Sequence, residues 1–268
     1  MSPFISIIVT SYNKGKYLDA CLESIFEQDF VDWECVIVND GSSDNTAEIC
    51  LKWVSLDKRY KYIEQTNKGV CTAKNIGIKN ATSKWILPID GDDKISKDYC
   101  LNALDYLKSD EFSIVYGNVY FFDQKEGLWD LPEFSLSNLA KYNMLHNSCF
   151  FKKQDWTNIK GYDVKMVHGL EDWEFWISIL KSNKKVKHLN SIGIYYRIIT
   201  TSRTTMLDRN KKDEMLSYME KKHFKFFYNH LGSKVRLYKE NLDLKGRFFS
   251  KYYLFYNRFI DLILKIRK

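Results

Sequence analysis

Three carboxylates within four residues, Asp90-Gly91-Asp92-Asp93, follow the apolar run Trp85-Ile86-Leu87-Pro88-Ile89. Like charges this close repel one another unless a cation is shared between them or water solvates them. Hard divalent ions such as Mn²⁺ or Mg²⁺ take carboxylate oxygens and often complete their shell with substrate phosphates, so the cluster suits a metal–diphosphate site. A solvated acidic turn is the plain alternative. An EF-hand calcium loop is excluded, because Lys94 and Leu101 stand where that loop needs acidic ligands. A second acidic pair, Glu171-Asp172, precedes Trp173, Phe175 and Trp176. Aromatic shielding raises a carboxyl pKa and suits a general base. The helix dipole alone also favours acidic residues at a helix start. Thr10 and Asp40 close two further apolar runs and are placed to hydrogen-bond a base and ribose, although Asp equally serves as a turn former.

The elements that would position these groups alternate in type. Ile5 to Thr10 reads as a buried strand, and Leu18, Cys21, Leu22, Ile25 and Phe26 follow at helical spacing. Cys35-Val36-Ile37-Val38 predicts a second strand, after which Asp44 is placed to cap a helix from about Thr46. Tyr60 to Glu64 predicts a third strand that leads through Asn67-Lys68-Gly69 into another helix, and Trp85 to Ile89 predicts a fourth. Strand and helix in alternation imply right-handed crossovers and an α/β fold with a mainly parallel sheet, whose ligands sit at the carboxyl ends of the strands. Thr10, Asp40 and Asp90 each fall at such an end. Beyond Asp93 the pattern predicts a helix near 97–107, a strand near 112–122 and a helix from Glu171 to about Leu180.

Composition narrows the function classes. With 268 residues, 45% apolar, the chain can bury a sizeable core. The first residues carry no signal-peptide pattern, and six scattered cysteines without a CxxC pair read as reduced core thiols, so a cytoplasmic protein is expected. No window is long and apolar enough to predict a transmembrane helix. No GxGxxG follows the first strand and no GxxxxGK[ST] occurs, which argues against a dinucleotide fold and a P-loop. The net charge of +7 is concentrated at the end, since residues 221–268 hold 13 Lys+Arg against 3 Asp+Glu. From Arg247 on, Arg247, Lys251, Arg258, Lys265 and Lys268 share one helical stripe opposite Phe249, Tyr253, Tyr256, Ile260 and Leu264. This predicts an amphipathic helix that either lies on an anionic membrane surface or docks on the protein.

Five features in order resemble glycosyltransferase family 2, the large family of inverting enzymes with the GT-A fold. They are Ser6-Ile7-Ile8-Val9-Thr10-Ser11-Tyr12-Asn13, Val38-Asn39-Asp40-Gly41-Ser42-Ser43-Asp44, Gly69 to Gly77, Asp90-Gly91-Asp92-Asp93, and Glu171-Asp172 with its aromatics. The resemblance implies a Rossmann-like sheet with flanking helices in which Thr10 and Asp40 contact the base, Asp90 binds ribose and Asp92 ligates Mn²⁺ or Mg²⁺. It implies that Asp172 is the general base of a single displacement, with a UDP-sugar as donor. The implied acceptor is a glycan or lipid-linked glycan of the bacterial surface-polysaccharide type, such as capsule or O-antigen. The implied organisation is a nucleotide-sugar-binding half at 1–93, an acceptor-binding half at 94–210 and a basic amphipathic helical tail at 211–268, the whole peripheral on the inner face of the cell membrane.

Two departures bear on the donor site. Ala73-Lys74-Asn75 stands where the family often has Ala-Arg-Asn, so Lys74 supplies charge to the donor without a planar fork. Related enzymes often have a histidine shortly after this Tyr-Arg pair, whereas here Tyr196 leads into Arg197-Ile198-Ile199-Thr200, which leaves Arg197 or Arg203 to neutralise the diphosphate. Glu171, Trp173, His146, Asn147, Trp156 and His168 are candidates for the acceptor side, although a lone histidine more often has a structural role. A nucleotidyltransferase making nucleotide sugars is the rival enzyme, but Thr10 to Lys16 has only one glycine for a phosphate loop. A non-catalytic nucleic-acid-binding protein would use the basic tail but would not need the ordered carboxylates, so no nucleic-acid partner is expected.

Overall fold

A computed structural model describes residues 2–199, 208–233, 236–237 and 239–245. The chain divides into two compact units with the boundary between His223 and Phe224. The larger unit opens as β1 (Ile5–Ser11), α1 (Gly15–Phe26), β2 (Trp33–Asn39), α2 (Thr46–Leu56), β3 (Tyr60–Glu64), α3 (Val70–Asn80) and β4 (Trp85–Asp90). It continues through β5 (Lys94–Ile95), α4 (Tyr99–Ser109), β6 (Ile114–Asp123), β7 (Gly127–Leu128), α5 (Leu136–Leu139), β8 (Phe150–Lys152), α6 (Lys153–Ile159), α7 (Glu171–Leu180), β9 (Val186–Ile198) and α8 (Arg209–Lys222). In the smaller unit α9 spans Phe224–Leu231, and the described residues between 236 and 245 are helical. The stripe from Arg247 to Lys268 lies outside the described residues, and so does Arg203. Among the described residues no helix is long and apolar enough to cross a membrane.

The expected parallel sheet is present in order β3-β2-β1-β4, and the sheet then changes character. β8 enters antiparallel beside β4, β6 runs antiparallel to β8 and parallel to β9, and β5 closes the far edge against β9. The result is a mixed sheet, because β8 is a three-residue return stroke rather than another crossover. Every residue of β1 and β2 is buried, as strands covered on both faces must be. Alternation sends Ile5, Ile7 and Val9 into one core with Leu18, Cys21, Leu22 and Ile25 of α1, and sends Ile8 to the other face, under α3. The same alternation in β8 sets Phe150 against Tyr99 on one face and Phe151 against Phe175 and Trp176 of α7 on the other. All six cysteines are buried thiols.

Two devices lock the sheet. At its amino end the buried Glu34 accepts from Ser6 Oγ (2.6 Å), Thr82 N (2.6 Å) and Thr82 Oγ1 (2.7 Å), and Lys61 pairs with its other oxygen at 2.5 Å. Beneath α3, Gly77 lets the helix come so close to β1 that an added Cβ would lie 2.3 Å from Ile8 Cγ2. Gly77→Ala should therefore cost about 1–3 kcal/mol of stability, the usual penalty for overpacking. Denaturant titration should show the midpoint fall; an unchanged midpoint would mean that α3 can lift off the sheet freely.

Candidate active site

The carboxyl ends of β1, β2 and β4 meet at a cleft of about 360 Å³ whose walls include Thr10, Asp40, Asn67, Asp90, Asp92 and Arg197. Parallel register brings them together, with Thr10 opposite Val38 on one side and Asp90 on the other. Thr10 Oγ1 donates to Asp90 Oδ1 at 3.4 Å. Asp40 is nearly enclosed, and its carboxylate organises the next loop. Oδ1 accepts from Gln65 Nε2 (2.6 Å) and Lys68 N (2.8 Å), and Oδ2 accepts from Gly69 N (3.0 Å). Asp44 performs its expected work at the start of α2, accepting from Thr46 N (3.1 Å) and Thr46 Oγ1 (2.6 Å), while Asn45 holds the cap position itself. Asp44 also takes the Gly15 N–H at 2.9 Å, so the single glycine of the first loop is not free to cradle a phosphate, contrary to what a nucleotidyltransferase would need.

The three clustered carboxylates do not converge on one point, because two of them face ammonium groups and the third turns to a backbone N–H. Asp90 Oδ1 lies 3.8 Å from Lys74 Nζ, and Asp92 Oδ2 lies 2.5 Å from Lys14 Nζ. Asp93 turns inward, where burial and its two acidic neighbours push its carboxyl well above the usual range, and its Oδ1 accepts from Arg197 N at 2.9 Å. Arg197 is heavily committed. Its Nε donates to Asp92 O (2.8 Å), its Nη1 to Asp123 Oδ2 (2.8 Å), and its guanidinium lies over the rings of Tyr17 and Phe122 at 4.5 and 4.4 Å.

Among the described residues no group of three His, Cys, Asp or Glu side chains is arranged to hold a metal. The residues nevertheless fit the other mode of binding, in which one or two carboxylates share a hard cation with substrate phosphates. Asp92 faces the cleft and already draws a cation, the Lys14 ammonium, onto its oxygen.

Lys74 is the group on which the two halves of the site meet. Its side chain is 1% exposed, and its ammonium stands 2.8 Å from Asp172 Oδ1, 3.8 Å from Asp90 Oδ1 and 5.2 Å from the Tyr162 ring centre. Burial works against its charge, but Asp172, Asp90 and Glu171 outweigh that and hold it protonated above its ordinary range. Asp172, in the first turn of α7 and 19% exposed, is pushed up to about 6 by burial and by the charges of Glu171 and Asp90, with Lys74 opposing. The adjacent Asn75 fastens the same helix to the loop after α6. Its Oδ1 accepts from Trp156 Nε1 (2.9 Å) and Tyr162 N (2.8 Å), and its Nδ2 donates to Tyr162 O (2.9 Å). Tyr162 in turn stacks on Phe175 of α7 with ring centres 3.9 Å apart.

The remaining acceptor-side candidates separate into two kinds. Trp156 is spent on Asn75, Trp173 donates from a buried position to Leu139 O at 2.7 Å, and His168 stands 3.9 Å from Glu214 of α8. His146, Asn147 and Ser148, by contrast, form a buried polar run. Among the described residues, neither atom of the Asn147 side-chain amide nor the Ser148 hydroxyl has a hydrogen-bond partner. Burial pushes the His146 imidazole down to about 4, keeping it neutral; a Gly117 backbone group opposes that shift, yet among the described residues neither ring nitrogen makes a hydrogen bond of normal geometry. Sequence reasoning missed Lys14 and Asn75, since nothing in the local pattern marks a lysine that reaches 78 residues ahead or an asparagine that binds 81 and 87 residues ahead.

The model of the Glycosyl transferase family 2 domain matches residues 6–165, more than half of the chain. Glycosyltransferase GlyA of Streptococcus pneumoniae is 38% identical over 125 residues, which are 47% of this chain and 18% of that protein. Chondroitin synthase of Pasteurella multocida is 29% identical over 223 residues, 80% of this chain and 23% of that protein. The chain thus spans less than a quarter of the length of either relative. Among solved structures, S. aureus TarS 1-349 in complex with UDP-GlcNAc superposes with a TM-score of 0.66 at 20% identity, covering 84% of this chain and 74% of that one. Mannosyltransferase PcManGT from Pyrobaculum calidifontis, in complex with GDP-Man and Mn²⁺, gives 0.65 at 17% identity, covering 84% and 65%. These likenesses show the GT-A fold.

The environment of Asp172 predicts that its carboxyl titrates near pH 6 rather than near its ordinary value of about 3.9. Carboxyl-carbon NMR of the labelled protein, with Asp172→Asn to assign the signal, should show that midpoint. An ordinary midpoint would mean that water screens the group fully.

Proposed function

The chain belongs to glycosyltransferase family 2, and from that membership we propose an inverting glycosyltransferase that moves a sugar from a nucleotide diphosphate donor to a glycan or lipid-linked glycan acceptor. The observation that carries the reading is the Lys74 ammonium lying between Asp90 of the cleft and Asp172, a carboxyl raised to about 6. A carboxylate poised near neutral pH is matched to taking a proton from a sugar hydroxyl.

In this reading the nucleoside lies along Thr10, Asp40 and Asp90, with the 65–69 loop held by Asp40 beneath the base. A UDP-sugar is the proposed donor, since TarS carries UDP-GlcNAc in its complex. Lys74 engages Asp172 Oδ1 and fixes the carboxylate's orientation, and Oδ2 takes the proton of the acceptor hydroxyl as that oxygen attacks the anomeric carbon. Phe175 of α7 is fully buried and stacks on Tyr162, whose ring lies 5.2 Å from the Lys74 ammonium, so apolar packing limits water on that side of Asp172. Asp92 is the residue that would hold Mn²⁺ or Mg²⁺, which supplies positive charge for the departing diphosphate. Arg197 braces the Asp92–Asp93 turn through its bonds to both residues. His146, Asn147 and Ser148 provide the buried polar atoms that an acceptor sugar could satisfy. The tail's 13 basic against 3 acidic residues support peripheral attachment to an anionic membrane face, at about 1 kcal/mol for each basic side chain near such a surface.

Asp172→Asn should leave UDP affinity within a few-fold and lower transfer by roughly 10²–10⁴, the range for losing a general base. Calorimetry with UDP and UDP-release assays across a panel of UDP-sugars with Mn²⁺ supply both readings. Normal turnover in the variant would assign the base to another group.

A further inference from the structure

Lys14 occupies the position just before α1, at the end of a helix where the dipole disfavours a positive charge. It is held there by bonds on both sides. Asn13, in a left-handed conformation (φ 52°), donates its N–H to Ser42 Oγ at 2.9 Å and accepts from Ser43 N at 2.8 Å, while Gly15 N donates to Asp44 Oδ2 at 2.9 Å. The side of Gly15 where a Cβ would project is filled by Asn45, so the loop cannot shift toward α2. From this clamped base the side chain reaches across the cleft to Asp92, with Nζ 2.5 Å from Oδ2, and both residues line the cavity. Their side chains are 27% and 17% exposed, so the pair can be reached and separated by a ligand in a way that the enclosed Lys74 cannot.

We propose that Lys14 is an exchangeable counterion for Asp92, which neutralises this carboxylate while the cleft holds no nucleotide and passes to the diphosphate of the donor when a divalent cation takes its place on Asp92. The inference rests on the reading of Asp92 as the metal-binding carboxylate. It follows from the charge balance of the cleft. Lys74 stands between Asp90 and the nearer Asp172, Asp93 turns inward onto the Arg197 N–H, and the ammonium on Asp92 is that of Lys14. A divalent ion arriving without nucleotide must displace that ammonium and finds no set of three protein ligands among the described residues. Arriving with a diphosphate, it gains phosphate oxygens, and the released ammonium gains an anionic partner within the same cleft. Metal binding thereby becomes conditional on nucleotide binding, and binding of the nucleotide alone depends on Lys14.

The test is Mn²⁺ binding, read from the EPR signal of free Mn²⁺, with and without UDP, in wild type, Lys14→Met, Lys14→Arg and Asp92→Ala. Lys14→Met should bind Mn²⁺ more tightly than wild type without UDP by about two- to fivefold, the range for losing an ion pair open to solvent. It should also bind UDP more weakly in EDTA by calorimetry. Lys14→Arg, which keeps the charge, should follow wild type. If Asp92→Ala loses UDP-dependent Mn²⁺ binding while Lys14→Met binds Mn²⁺ no more tightly than wild type, the exchange is refuted and the metal reading stands. If Asp92→Ala binds Mn²⁺ with UDP as wild type does, the metal reading fails and the exchange falls with it.

Discussion

A buried ammonium cannot be left alone. Lys74 has lost nearly all its water, and an unpaired charge in that position would cost several kcal/mol, so the chain must keep carboxylates around it. It does so with Asp172 from α7 and Asp90 from β4, two residues 82 positions apart. The requirement is mutual, because Asp172 without Lys74 would face Glu171 and Asp90 with nothing to offset them. One lysine in the middle of α3 thus joins the strand end that lines the donor cleft to the helix that carries the proposed base. Asn75, the next residue, fastens the same helix to Tyr162, and Tyr162 stacks on α7. Gly77 makes the arrangement possible by letting α3 settle against Ile8.

The carboxylates of the cleft are consequently partnered one by one and are not a pool of acid. Asp90, Asp92 and Asp93 sit within four residues, yet Asp90 and Asp92 face the ammonium groups of Lys74 and Lys14 while Asp93 turns to the Arg197 N–H. In the proposed exchange a divalent cation and a diphosphate would enter together by replacing the Lys14–Asp92 contact. Arg197 illustrates how rigid the frame is. Its guanidinium bridges the backbone of Asp92 to the side chain of Asp123 and lies on two aromatic rings, so it braces the acidic turn.

Much of this was legible in the residues. The strand-like runs at 5–10, 35–38, 60–64 and 85–89 correspond to β1 to β4 within a residue or two, and Thr10, Asp40 and Asp90 meet at one cleft because parallel strands align their carboxyl ends. What stayed hidden depends on long-range contacts. β8 has three residues and no periodicity to detect, so its antiparallel entry, which makes the sheet mixed, could not be seen. Glu34 looks like a solvent-facing strand residue until Ser6, Lys61 and Thr82, at separations of 28, 27 and 48, close around it. The direction of the Lys74 side chain was equally invisible. Sequence placed a positive charge near the donor, and only the fold turns that charge 98 residues ahead to Asp172.

The most direct measurement of this coupling is the pH dependence of kcat in wild type and Lys74→Met. Asp172 must be ionised to act as base, so activity should rise with pH through its pKa, near 6 in the wild type. Lys74 holds that value down against burial and two neighbouring carboxylates, so removing its charge should move the rising limb to higher pH while the plateau at high pH survives in part. A limb in the same place in both proteins would contradict the account, because the charge on Lys74 would then have no hold on the group that takes the proton.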